Sequence, residues 1–146
     1  MTLETKEVLS NDGGDWAVRN SACFVCGDDN PKGLHVAFTQ QEDAACAEWM
    51  PGREWESYPG TIHGGILSSI LDEAMAKAIL AKGWVAFTVE LNVRYKKSVA
   101  PGEPLQIRGW VVAKQRRRIL AEAAILNAGG VECTHAQGTF LEAPKK

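Results

Sequence analysis

Residues 60–75 run Gly60-Thr61-Ile62-His63-Gly64-Gly65-Ile66-Leu67-Ser68-Ser69-Ile70-Leu71-Asp72-Glu73-Ala74-Met75. A glycine-rich turn carrying His63 leads into an apolar stretch of helical character, and an acid pair follows about two turns in. A charge among Ile, Leu and Ala is costly unless it is paired or used. Asp72 is therefore the first candidate for chemistry. At 3.6 residues per turn, Gly65, Ser68, Ser69, Asp72 and Ala76 share one side of the helix. All but the acid are small or hydroxylated, so that side leaves room for a ligand with Asp72 pointing into it. Glu73 lies one residue further round, facing solvent or paired with Lys77 at i,i+4.

Gly64 and Gly65 stand at the start of this helix. Backbone N–H groups there lack intrahelical acceptors, and the helix dipole favours negative charge. Glycine also lets a ligand oxygen approach the backbone closely. A carbonyl oxygen becoming an oxyanion is the natural occupant. Attack on that carbonyl by an activated water, or by the carboxylate itself, completes an acyl-transfer site. The competing interpretation is structural: the glycines let the loop turn, and Asp72 is an ion-pair residue at a subunit seam.

The elements that must position these residues follow from the pattern. The helix is expected over 62–82, with Gly83 just past its end. Two strands are expected before it, Leu34–Gln40 and Ala44–Met50, then a loop over 51–61 rich in Pro, Gly and aromatic residues. Four strands are expected after it: Ala86–Tyr95, Leu105–Lys114, Arg118–Leu126 and Val131–Leu141. In the first of these, Phe87, Val89, Leu91, Val93 and Tyr95 alternate with Thr88, Glu90, Asn92 and Arg94. Turn signals at Pro101-Gly102-Glu103-Pro104 and Asn127-Ala128-Gly129-Gly130 imply hairpins and mainly antiparallel pairing. The class is α+β, one long helix with most of its surface covered by a curved sheet of about six strands. Residues 1–14 read as a flexible tail and 15–146 as a single domain, with Trp16 and Phe24 as anchors of its irregular first part.

The bulk numbers bound the rest. The 146 residues are 45% apolar and 23% charged, with a formal net charge of −2. This fits one globular domain and argues against a general nucleic-acid or anionic-membrane binder. No apolar run reaches the roughly 20 residues of a membrane span, and residues 1–7 lack the apolar region of a signal peptide. The cytoplasm is the default location. Cys23 and Cys26 form a C-x-x-C, a spacing that serves zinc or redox chemistry. The other possible ligands, Cys46, Cys133, His35, His63 and His135, are scattered, and turn sequence follows the pair. Turn or packing cysteines are the leading interpretation, with zinc and redox roles as the alternatives. His35 and His135 read as strand or surface residues.

Three stretches carry a family resemblance. They are Pro59-Gly60-Thr61-Ile62-His63-Gly64-Gly65 with Asp72-Glu73, Thr88-Val89-Glu90-Leu91-Asn92-Val93-Arg94-Tyr95, and the segment from Cys23 to Leu34. Together they resemble the hotdog-fold thioesterases, specifically the PaaI-like group of the 4-hydroxybenzoyl-CoA thioesterase superfamily. The resemblance implies a long helix wrapped by an antiparallel sheet, and a homodimer or dimer of dimers with active sites at the subunit interface. It implies Asp72 as general base or nucleophile, the Gly65 N–H as the group polarising the thioester carbonyl, and His63 as the histidine orienting the loop. Thr88 is implied as a positioning hydroxyl from the opposite subunit.

The implied reaction is hydrolysis of an acyl or aryl thioester to a carboxylic acid and free coenzyme A. CoA is then part of the substrate, and no cofactor or metal is expected. Gly64, Ser68 and Ser69 would line the site, Trp55 and Tyr58 the acyl pocket, and Arg94, Arg116 and Arg117 the CoA phosphates. Two positions depart from the pattern. Ser57 stands where such relatives often have Asn or Gln, six residues before the histidine, and Ser98 stands where a proline is common. Ser57 sustains the alternative of a non-catalytic acyl-CoA-binding hotdog protein. An acyl-CoA hydratase or dehydratase of the same fold is the more distant alternative.

Overall fold

A computed structural model of the chain describes residues 21–144. The expected tail over 1–14 and the anchor Trp16 lie outside these residues. The elements run β1 (Thr39–Gln41), β2 (Ala44–Trp49), α1 (Gly64–Ala81), β3 (Ala86–Tyr95), β4 (Leu105–Gln115), β5 (Arg118–Leu126) and β6 (Glu132–Glu142). A short 3₁₀ turn at Arg53–Trp55 precedes the helix. The six strands form one sheet in the order β1-β2-β4-β5-β6-β3, every neighbouring pair antiparallel. One long helix packed on such a sheet is the hotdog arrangement, as the pattern predicts. Among the described residues no helix is long and apolar enough to cross a membrane.

The helix sits on the sheet through Leu67, Ile70, Leu71, Ala74, Met75, Ala78 and Ile79, all buried. They meet Ile107, Ile119, Ala121, Ala123, Ile125, Ala136 and Phe140 from the sheet. Small residues at the centre of this contact set the helix close to the strands. A Cβ added to Gly109 on β4 would stand 2.5 Å from the Ala74 carbonyl oxygen. None of Gly65, Ser68, Ser69, Asp72 and Ala76 is buried. The small-residue stripe is therefore open within this chain.

Three expectations change. The strand foreseen over 34–40 shrinks to Thr39–Gln41, because Leu34 and Val36 donate their N–H groups to the carbonyls of Phe24 (2.8 Å) and Val25 (2.8 Å). Leu34, Val36 and Phe38 still bury their side chains in the core. The helix begins at Gly64 rather than 62, because His63 caps it. The simple alternation along β3 fails at Val89. Thr88 pairs with Phe140 and Glu90 with Thr139, which leaves Val89 as the extra residue of a bulge. Directly opposed residues share a face of the sheet. Thr88 therefore joins buried Phe140 on the helix side, with Leu91, Val93 and Tyr95. Phe87 falls on the outer side with Glu90, Asn92 and Arg94.

The contact at Gly109 yields a stability prediction. Gly109→Ala should cost about 1–3 kcal/mol, the usual range for overpacking, read as a lower denaturant midpoint. A change within about 0.5 kcal/mol, the size of a neutral surface substitution, would show that the helix does not depend on this close approach.

Candidate active site

The site is built at two places along α1. At its N-terminus, His63 has extended backbone (φ −59°, ψ 130°), and its ring Nδ1 accepts the Gly65 N–H at 2.8 Å. Acceptance at Nδ1 puts the ring proton on Nε2. The His63 carbonyl takes the N–H groups of Ile66 (3.0 Å) and Leu67 (3.2 Å). Of the four orphan donors of a helix start, only the Gly64 N–H then has no acceptor among the described residues. This corrects the expectation for Gly65, whose N–H is consumed by the cap. The open donor is one residue earlier.

The turn is braced from several sides. His63 N–H donates to the Trp55 carbonyl at 2.8 Å, and Ile62 N–H to that of Val99 at 2.8 Å. The Tyr95 hydroxyl donates to the Gly64 carbonyl at 2.9 Å and is itself hydrogen-bonded to Ser68 Oγ. Ser69 Oγ donates back to the Gly65 carbonyl at 2.9 Å. The two serines expected to meet substrate thus fasten the helix start. Tyr95, not foreseen as part of the site, clamps Gly64 to β3. Its side chain is 52% exposed, and no local pattern in the sequence marks its hydroxyl as the partner of Gly64.

About two turns further along the helix stands Asp72. Thr88 Oγ1 donates to its Oδ1 at 2.7 Å within one chain. Thr88 thus serves the Asp72 of its own chain, because the bulge at Val89 turns it onto its own helix. Burial pushes the Asp72 carboxyl above the usual aspartate range, and the Thr88 hydrogen bond partly opposes that rise. Oδ1 is held by the threonine, and Oδ2 lies outside that hydrogen bond. Glu73 is turned elsewhere. Its carboxylate turns to buried Lys77 (3.6 Å) and to the thiols of Cys23 and Cys26. Burial is the main cause that pushes it up to about 7.

The remaining candidates are not drawn together. Ser57 Oγ turns onto its own loop, donating to the Thr61 carbonyl at 3.4 Å. Trp55 packs against the core and lies edge-on to Phe24 with ring centroids 6.3 Å apart. Tyr58 is 80% exposed. Arg94 faces the outer side of β3, opposite His135 and next to the Tyr95 that holds the helix start. Arg116 and Arg117 form the β4–β5 turn. There Lys114 lies over the Trp84 ring (4.9 Å to its centroid), just past the helix end. An 18-residue helix spans about 27 Å, so these arginines sit at opposite ends of one chain.

A half-buried carboxylate and an open helix N-terminus thus stand on one helix of a hotdog scaffold. The sequence profile of the thioesterase superfamily matches residues 59–134, which hold His63, Gly64, Asp72, Thr88 and Tyr95. The chain belongs to that superfamily. It is 28% identical over 147 aligned positions to the human acyl-coenzyme A thioesterase THEM5, covering 97% of this chain and 57% of that protein. The chain thus spans little more than half the length of this curated relative. Among solved structures, the thioesterase superfamily protein RHA08564 superposes with a TM-score of 0.82 at 23% identity, over 90% of this chain and 66% of that one. A Streptococcus mutans protein bound to acetyl CoA superposes with a TM-score of 0.70 at 21% identity, over 75% of this chain and 89% of that one.

The raised Asp72 carboxyl has a consequence for stability. Between the ordinary aspartate pKa and the raised folded value, the folded chain holds more protons than the unfolded one. Stability attributable to this group therefore falls as pH rises through that window. Asp72→Asn should be more stable than the parent at neutral pH, with the advantage fading as pH falls below the ordinary aspartate range. Denaturant titrations at several pH values read this out. A variant less stable at pH 7 than at pH 3, relative to the parent, would contradict it.

Proposed function

We propose that the protein is an acyl-CoA thioesterase whose active site is shared between two copies of the chain. One observation carries this reading. The open N–H at Gly64 and the carboxylate of Asp72 are eight residues apart on one helix, about 12 Å along its axis. One reacting carbonyl must lie about 3 Å from its donors and from its nucleophile, so a single copy is half a site. Two antiparallel copies of α1 would set Gly64 of one against Asp72 of the other. The edge strand supports such a pairing. Among the described residues β3 has a ladder partner on one side only, and it exposes Val89 (60%) and Leu91 (36%). A long apolar edge of this kind is a template for pairing with another chain.

In this mechanism the thioester carbonyl oxygen accepts the Gly64 N–H. The helix dipole adds to the stabilisation of the negative charge that develops there. Asp72 Oδ2 of the second copy attacks the carbonyl carbon or takes a proton from the attacking water, while Thr88 holds Oδ1. A carboxylate raised by burial is a stronger base than an exposed one, which suits the second role. Collapse of the tetrahedral intermediate expels the thiolate and leaves the acid. The CoA assignment is supported by superfamily membership, by the acetyl CoA bound to the Streptococcus mutans relative and by the activity for which the human relative is named. A non-catalytic binding protein is favoured only by Ser57, whose hydroxyl is turned away onto Thr61.

Release of free thiol from a panel of acyl and aryl CoA esters tests the reading. Asp72→Ala should lose about 10²–10⁴-fold in kcat, the usual contribution of a positioned acid–base group. Thr88→Val removes a hydrogen bond to a charged group and should cost about 10–100-fold. It should also move the acidic limb of the pH–rate profile upward, because the lost bond was lowering the Asp72 pKa. Measurable binding of the esters without thiol release would favour the binding protein. Full activity in Asp72→Ala would remove that residue from the mechanism.

A further inference from the structure

The C-x-x-C segment is folded into a tight loop that ends against α1, beside the catalytic candidate but separate from it. Gly27 N–H closes the turn on the Cys23 carbonyl at 2.9 Å. A Cβ on Gly27 would stand 2.2 Å from the Ser21 carbonyl oxygen and 2.4 Å from Cys23 N, so the loop admits only glycine there. Cys26 N–H points at Cys23 Sγ from 3.4 Å. Backbone donors aimed at a sulfur favour its thiolate form, the form that binds metal.

From a position 47 residues away in the chain, Glu73 reaches both sulfurs. Its Oε1 lies 3.6 Å from Cys23 Sγ and its Oε2 3.5 Å from Cys26 Sγ. One ligand atom from each of the three residues fits within 4.8 Å of the others. A tetrahedral zinc ion with Zn–S of about 2.3 Å and Zn–O of about 2.0 Å has an S···O edge of about 3.5 Å. The two observed spacings, one from each carboxylate oxygen, are close to that length. Lys77, 2% exposed, places Nζ 3.6 Å from Glu73 Oε2. Two thiolates and a carboxylate exceed the charge of a divalent ion by one, and the Lys77 ammonium cancels the remainder. A half-buried cluster beside a buried ammonium favours that neutrality, and an outer partner for a ligating carboxylate is the usual arrangement.

We propose that Cys23, Cys26 and Glu73 hold a zinc(II) ion, with water in the fourth position, and that this ion fastens the 23–34 segment to α1 one residue past Asp72. Thiolate ligands select zinc over the harder divalent ions. Binding releases the thiol protons and ties the loop to the helix. The site does not depend on the thioesterase reading, since none of its ligands takes part in that reaction.

The full chain, freed of metal with a chelator and kept reduced, is titrated with cobalt(II) and then with zinc(II). The expected result is one ion per chain. Cobalt should give a thiolate charge-transfer band and tetrahedral d–d absorption, both abolished by zinc. Cys26→Ser and Glu73→Gln should each weaken binding by at least about 10–100-fold, the loss that even an outer-shell change causes. Cys46→Ala should leave it unchanged, and far-UV circular dichroism checks that each variant is folded. A reduced parent chain that takes up no cobalt overturns the proposal, even if its two cysteines oxidise to a disulfide. So does cobalt binding that survives both Cys26→Ser and Glu73→Gln.

Discussion

A carboxylate half-withdrawn from water on an otherwise apolar helix is the constraint around which the rest is arranged. Asp72 carries a desolvation cost that the fold does not remove, since its carboxyl is raised despite the Thr88 hydrogen bond. That cost is tolerable because the neighbouring positions on its side of α1 are small and open, while the opposite side is fully buried. The sheet contributes one hydroxyl, and it does so only because β3 carries an extra residue at Val89. Bulges often re-aim a side chain beside a functional site, and here the re-aimed residue is Thr88.

The second constraint is distance. The helix start is held by His63, Tyr95, Ser68 and Ser69, four side chains that together leave one backbone N–H open. The open donor and Asp72 lie on one helix, so they stay apart along the same rod. In the proposed shared site a second copy of the chain would resolve the separation without any movement, joining at the edge strand that ends the sheet next to α1. Such a division would tie chemistry to assembly, since each copy would supply one half.

Much of this is legible in the sequence. The helical stripe of Gly65, Ser68, Ser69, Asp72 and Ala76 and the four strands after it follow from periodicity and turn residues, and the family motif adds the acyl-transfer class. What escaped detection has identifiable physical causes. A bulge leaves no mark on an alternating strand, so simple alternation puts Thr88 on the face opposite Leu91, Val93 and Tyr95, whereas the bulge brings it onto theirs. Capping by a side chain at Nδ1 depends on a rotamer, so the engaged N–H at Gly65 could not be told from the open one at Gly64. The residues from Leu34 to Phe38 alternate like a strand, yet their backbone pairs with the loop at Phe24 and Val25, a long-range choice that no local pattern encodes. Glu73 and the C-x-x-C are far apart in sequence, and only the folded chain brings them together.

The shared site is tested most directly by complementation. Gly64→Pro deletes the open N–H at the first helix position, where no intrahelical bond is lost; the extended His63 backbone suits a residue before proline, and the Tyr95 ring, 3.3 Å from the added Cβ, must give by a few tenths of an ångström. Chains carrying Gly64→Pro and chains carrying Asp72→Ala should each be inactive toward the best acyl-CoA ester. Co-expressed in equal amounts, they should recover about a quarter of the parent activity. Half of the dimers are then mixed, and each of these holds one intact site of two. Mixed dimers that form and show no recovered activity would contradict a site divided between two chains.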